Sequence, residues 1–337
     1  MIGTITKRTA AATATGIAML FLAAGAQAQN SAAEQEAVFK ELLAEAKAGK
    51  VEAEFDVGVR YQTGRGVKKD SQEATAWLQK AVDAGHSQAT NRLAWHYRNG
   101  IGVVLSPAKA EELYLKAYDM GVVGASVPLG AMYRSGEPGV EENHAKAFKW
   151  ASIGAEAGID RGQNLLGEMY RDGVGVSQSF PKALEWFEKA AAQDLHLAYY
   201  NASVIYRDGV GVPKDLKKGT DYLVKAAELG HAAAMTDLAL AYAEGVGVPQ
   251  SYDEAIGWYT KAARRSPSAT VNLARAYETG VFGSEDFARA YMWYYIASKR
   301  GQPAGNVGMA AMDPRTTAAQ RRQAKAEGDR WLSGGSS

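Results

Sequence analysis

The stretch Leu166-Gly167-Glu168-Met169-Tyr170-Arg171-Asp172-Gly173-Val174-Gly175-Val176 returns 36 residues later as Ala202-Ser203-Val204-Ile205-Tyr206-Arg207-Asp208-Gly209-Val210-Gly211-Val212, and 36 later again as Leu238 to Val248. Self-similarity at a fixed period of this size marks a stacked repeat architecture. One such unit is too small to bury its own apolar face, so neighbours must stack and share a core. The period therefore points to an array built from one repeated supersecondary unit, with a long ridged surface rather than a single deep pocket.

The register runs from about Gly49 to about Gly301, with a tyrosine column at Tyr61, Tyr97, Tyr133, Tyr170, Tyr206, Tyr242 and Tyr277. A second column follows each tyrosine by 16 or 17 residues: Trp77, Leu113, Trp150, Trp186, Tyr222, Trp258 and Trp293. That gives seven units. One residue enters at Gly136-Glu137-Pro138-Gly139-Val140 and one is lost around Arg265 to Ser268. Both irregularities fall in expected turns, where insertions and deletions are tolerated.

Each unit reads as two helices. In the first unit Ala53, Val57, Gly58 and Tyr61 lie on one face of a 3.6-residue period. A small residue follows the leucine-like position throughout (Gly58, Ala94, Gly130, Gly167, Ser203, Ala239, Ala274), which lets the paired helices approach closely. Gly64 is placed for a left-handed helix end. Asp70, Ser106, Ser179, Asp215 and Ser251 stand where the second helix needs an N-cap.

The pattern Ala-x3-Leu-Gly-x2-Tyr-x2-Gly-x-Gly-Val-x2-Asp-x3-Ala-x2-Trp-x2-Lys-Ala-Ala-x3-Gly resembles the Sel1-like repeat, a relative of the tetratricopeptide repeat, over about three quarters of the chain. The resemblance implies an all-α, right-handed α-solenoid of about seven helix-turn-helix units with capping helices, and a role in holding protein partners. Some exported members of this family staple each unit with a disulfide, and some of those bind β-lactams. This chain has no cysteine and departs from them there.

The expected organisation is a secretory signal at 1–28, a capping helix at 29–48, repeats at 49–301, a half-repeat and capping helix at 302–332, and a flexible tail at 333–337. Lys7-Arg8, the apolar run Ala10 to Ala24 and Ala26-Gln27-Ala28 form the three parts of a cleavable leader. The apolar run is shorter than the ~20 residues a spanning helix needs, so no membrane span is expected after cleavage. Trp331 and Leu332 are expected to dock on the seventh unit. An exported, cysteine-free chain of this kind suits the periplasm of a Gram-negative bacterium, or secretion.

Without cysteine, disulfides, thiolate metal sites and cysteine nucleophiles are excluded. Loss of Lys7 and Arg8 with the leader lowers the 38 basic residues to 36, against 37 acidic ones. That balance argues against nucleic acid, which needs a basic surface.

Most features that suggest chemistry recur with the period. Gly64-Arg65-Gly66-Val67 reads as a helix connector rather than a phosphate loop, because Gly-x-Gly-Val returns at 173–176, 209–212 and 245–248. His86 and His231 share one slot after the unit-ending glycine and read as turn residues. The tryptophan column tracks the repeat and is expected to be core. No cofactor, metal site or catalytic residue is expected.

One pattern does suggest binding. Arg98, Arg134, Arg171 and Arg207 follow the column tyrosine in four consecutive units. By analogy with tetratricopeptide arrays they face a concave groove, with Trp95 beside them. Asn201 and Asn272, just before the leucine position, resemble the asparagine with which such grooves clamp a peptide backbone or carboxylate. Guanidinium groups hold carboxylates in a bidentate fork, so an acidic or C-terminal segment of a protein partner is expected. The same arginines also suit helix C-termini, where cations complement the dipole. The leading function is a periplasmic protein–protein adaptor in envelope regulation or signalling. The alternatives are a secreted factor acting on host or rival proteins and, less well supported, a β-lactam-binding hydrolase. The repeat pattern leaves the oligomeric state open.

Overall fold

The computed structural model describes residues 31–334, so the expected leader lies outside the described residues. Within them the structure is helical throughout, with no strand. Helix α1 spans 31–47. The seven helix pairs follow as α2 (Val51–Thr63) with α3 (Ser71–Asp83), α4 (Ser87–Asn99) with α5 (Pro107–Asp119), α6 (Ser126–Ser135) with α7 (His144–Glu156), and α8 (Asp160–Asp172) with α9 (Phe180–Ala191). The array continues as α10 (His196–Asp208) with α11 (Leu216–Glu228), α12 (Ala232–Glu244) with α13 (Tyr252–Arg265), and α14 (Pro267–Glu278) with α15 (Phe287–Lys299). Helices α16 (Pro303–Met312) and α17 (Ala318–Leu332) close the chain. This is an all-α solenoid. It divides into two compact units, one ending at Trp150 and the other beginning at Ala151.

Local chemistry sets the helix ends. The side chains of Asp70, Ser106, Ser179, Asp215 and Ser251 each accept a backbone N–H from the first turn of the helix they precede, covering a donor that would otherwise lack a partner. His86 and His231 are more than turn residues. Each Nδ1 accepts from the backbone three residues on, Ala89 at 3.0 Å and Ala234 at 3.1 Å, and so caps α4 and α12.

Glycine-dependent contacts hold the helices of a unit to each other and one unit to the next. At Gly167 a Cβ would stand 2.7 Å from the Phe187 ring, so a small residue is what lets α8 meet α9. In five of the turns the later glycine rests on the start of the second helix one unit back: Gly66 on Gln35, Gly102 on Ser71, Gly139 on Ala108, Gly211 on Phe180 and Gly247 on Leu216. The common spacing of 31 residues includes α1, which stands to the first turn as α3 stands to the second.

The tryptophan column is only partly core. Trp77, Trp150 and Trp293 are buried, while Trp186 and Trp258 are half-buried beneath Lys189 and Lys261, whose ammonium groups sit 4.0 and 3.8 Å from the rings. At these two places the inward position belongs to the next residue, Phe187 or Tyr259, and both of those are buried. Lys stems covering an aromatic face keep the charge in water while the ring stays largely dry. At the end of the chain Trp331 is buried, edge-on to Trp293 with centroids 5.2 Å apart. Leu332 is 38% exposed.

Candidate functional site

The column tyrosines place the arginines that follow them in the last turn of α4, α6, α8 and α10. In the second compact unit these arginines reach forward. Arg171 donates to Oδ1 of Asn201 at 3.2 Å and forks onto both carboxylate oxygens of Asp172 at 2.7 and 3.1 Å. Asn201 in turn donates to Oδ1 of Asn164 at 2.9 Å, and Asn164 donates to Glu168 at 2.9 Å. Asn164 and Asn201 are both buried, so this chain of amides satisfies polar groups that would otherwise be costly to desolvate. The Asp172 hydrogen bond raises the Arg171 pKa above its ordinary value.

One unit further on the geometry repeats. Arg207 lies 3.6 Å from Asp237, which also accepts from the Tyr200 hydroxyl at 3.2 Å. Burial pushes the Asp237 carboxyl up, and Arg207 and Tyr200 pull it back. Both contacts join the residue after the tyrosine of one unit to the residue before the leucine position of the next, 30 residues on. The first compact unit makes this contact once, from Arg92 to Oε1 of Gln62 at 2.7 Å, with donor and acceptor exchanged.

Arg98 behaves differently. Thirty residues on stands Pro128, which has no side-chain acceptor, and Arg98 forks instead onto Glu137 with contacts of 2.9, 3.2 and 2.5 Å. That carboxylate comes from the lengthened third turn, which has Glu137-Pro138 between its glycines where the regular repeat has one residue. The pair is largely enclosed, with side chains 26% and 19% exposed. Beside it burial drives the Tyr114 hydroxyl up to about 12. Arg134 is half-buried and has its own contacts in the structure.

Trp95 stands one turn before Arg98 on α4 and is 41% exposed, with its ring edge against His96 at 5.6 Å. Asn272 is exposed on α14, and Ala243 fills the slot from which an arginine would reach it. The structure therefore brings Asn201 to Arg171 and Trp95 to the neighbourhood of Arg98, and leaves Asn272 apart. Asn164, Asp237 and Glu137 are partners that sequence reading did not single out. The 30-residue offset would have located the second of them, since it lies in the same slot as Asn201.

The Sel1 repeat profile matches residues 51–86, 87–122, 129–159, 160–195, 196–231, 232–266 and 267–302. The chain belongs to the Sel1 repeat family. Sel1 repeats generally serve as non-catalytic scaffolds for protein–protein interaction. Among solved structures, the chain is similar to a protective antigen present in uropathogenic Escherichia coli strains that displays an SLR fold, at 28% identity and a TM-score of 0.65 over 87% of this chain. The match spans 64% of that antigen. The chain is also similar to a Sel1 repeat protein from Oxalobacter formigenes, at 28% identity and a TM-score of 0.63, over 72% of this chain and 96% of that one. Among the described residues of this Sel1 protein, no helix is long and apolar enough to cross a membrane.

Proposed function

We infer that this chain is an exported, non-catalytic adaptor that holds a segment of a partner protein against its first helices. The observation that carries the reading is Trp95. A tryptophan 41% exposed on a helix whose Leu93 is fully buried and whose Tyr97 is half-buried offers unspent apolar area, and tryptophan is enriched among the residues that carry binding energy at protein interfaces. Arg98 lies one turn away and already holds a carboxylate, that of Glu137. An acidic group of a partner would take the same fork by displacing Glu137 from it. In the second compact unit Arg171 and Arg207 form the corresponding polar surface, with the buried Asn201 positioning Arg171 from behind and Asn272 exposed further along; Arg134 belongs to the same series in the first unit. The export reading rests on the leader at 1–28 and is supported by the likeness to a protein described as a protective antigen. N-terminal sequencing of protein recovered from the periplasm should begin at Gln29.

The cleanest test substitutes Trp95→Ala, because reversing the charge of Arg171 would also disturb the buried amides behind it. Acidic C-terminal peptides are titrated against the full mature chain by fluorescence anisotropy. The variant should lose at least tenfold in affinity while its melting temperature stays within a degree or two. Unchanged affinity in a folded Trp95→Ala protein would remove this face from consideration.

A further inference from the structure

The turns of the first compact unit carry a pattern that the fold does not require. After Gly-x-Gly-Val, or its third-turn counterpart, come Lys68-Lys69, then Val104-Leu105, then Glu141-Glu142. The corresponding residues of later units are Ser177-Gln178, Pro213-Lys214 and Pro249-Gln250, which show no such order.

The three turns are neighbours in space. Gly102 of the second turn rests on Ser71, two residues beyond Lys69, and the Thr75 hydroxyl donates to the Ile101 carbonyl at 2.9 Å. Gly139 of the third turn rests on Ala108, three residues beyond Leu105. One edge of this unit therefore reads basic, apolar, acidic. Val104 is 88% exposed and Leu105 54%. Lys68, Lys69, Glu141 and Glu142 are exposed as well.

Most nearby charges are already engaged. Arg65 donates to Gln35, Asp70 caps α3, Lys109 lies over the Tyr97 ring and Glu137 holds Arg98. Glu142 contacts the exposed His144 at 2.6 Å. Lys68, Lys69 and Glu141 have no ion-pair partner among the described residues.

A strip with a basic pair and an acidic pair, each one turn from an apolar centre, is its own complement. Turned by a two-fold rotation, it sets residue i against j and j against i, as an isologous interface demands. We propose that this edge pairs with the same edge of a second copy of the chain, about an axis through Val104 and Leu105. Lys68 and Lys69 of each copy then face Glu141 and Glu142 of the other. The apolar centre removes Val104 and Leu105 from water, and the flanking charges set the direction of pairing.

Sedimentation velocity of the full mature chain, over a concentration series at low and high salt, tests this. Wild-type protein should show a reversible dimer that weakens with salt, because exposed charges are screened. Val104→Asp with Leu105→Asp should sediment as monomer. Lys68→Glu with Lys69→Glu, and separately Glu141→Lys with Glu142→Lys, should each be monomeric alone. Mixed in equal amounts, these two charge-reversed proteins should form a heterodimer, since acidic turns then meet basic ones at both ends. All these substitutions lie on exposed turns, and circular dichroism checks that helicity is kept. Wild-type protein that stays monomeric to millimolar concentration overturns the proposal. So does a dimer indifferent to Val104→Asp with Leu105→Asp, or a mixture that stays monomeric.

Discussion

The junction between α8 and α10 and the turn beside α4 start from the same residue in the repeat and solve different problems. At the first, Arg171 reaches Asn201 of the next unit and caps a buried amide chain. At the second, Arg98 finds Pro128 in the equivalent place and turns to Glu137, in the one turn that is a residue longer than the regular repeat. The arginine is therefore neither simply a binding rung nor simply a helix end. Its role follows from what the next unit offers within reach, and where the usual slot offers nothing, the lengthened turn supplies the partner.

The largest expected effect separates the apolar layer of the α8–α10 junction from its polar layer. Phe187 is fully buried against Gly167, so Phe187→Ala should cost ~3–5 kcal/mol, as other large-to-small core changes do. Trp186→Ala, one residue away and half-buried, should cost clearly less. Urea unfolding monitored by circular dichroism measures both, and equal costs would return the tryptophan column to the core.

A thermodynamic cycle addresses the polar layer itself. Arg171→Ala leaves the buried Oδ1 of Asn201 without its donor, which should cost ~1–3 kcal/mol. Arg171→Ala and Asn201→Ala should be coupled by about 0.5–3 kcal/mol, the range for residues in one hydrogen-bond network. Arg98→Ala should couple to Glu137→Ala and not to Pro128→Ala. Coupling of Arg98 to position 128 would show that the two junctions share one design after all.

The smallest effect is a dependence on pH with one source in each half. His96 is buried, with Nδ1 2.7 Å from the Thr75 hydroxyl, and burial, helped by nearby Arg92, lowers its pKa against a weaker opposing bond at Ile101. Burial also lowers the His231 pKa, with His196 adding repulsion. A depressed pKa means the unfolded chain binds the proton first, so stability is complete above the unfolded value of about 6.5 and falls as pH drops through the folded values. The melting temperature should decline from pH 7 to pH 5, and His96→Gln should flatten part of that decline. A wild-type profile flat over this range would mean that neither ring is desolvated as the structure has it.

Much of the fold was legible in the sequence because its signals are short-range. A side-chain oxygen at Asp70 or Ser179 satisfies backbone donors two or three residues away, so the cap is visible from spacing alone. The small residue at Gly167 was legible for a similar reason, since the repeat shows the same slot filled by Gly, Ala or Ser each time. The candidate site was less legible. Trp95, Arg98 and Arg171 could be picked out by column, but Asn164 and Glu137 carry no periodic mark, and Asn272 matches its motif without meeting an arginine.

What the sequence determined by itself was the period, the number of helix pairs, their caps and the turns between them. Each of these depends on hydrogen bonds and steric limits within one unit, and the repetition states them seven times. Only the tertiary structure decided which side of the second column faces inward, putting Phe187 inside and Trp186 half outside. It also decided where each arginine spends its hydrogen bonds, and that the turns carrying Lys69, Leu105 and Glu141 lie side by side. Those outcomes depend on how one unit's helices rotate against the next. That rotation is set by packing between residues some 30 positions apart, and no local pattern encodes it.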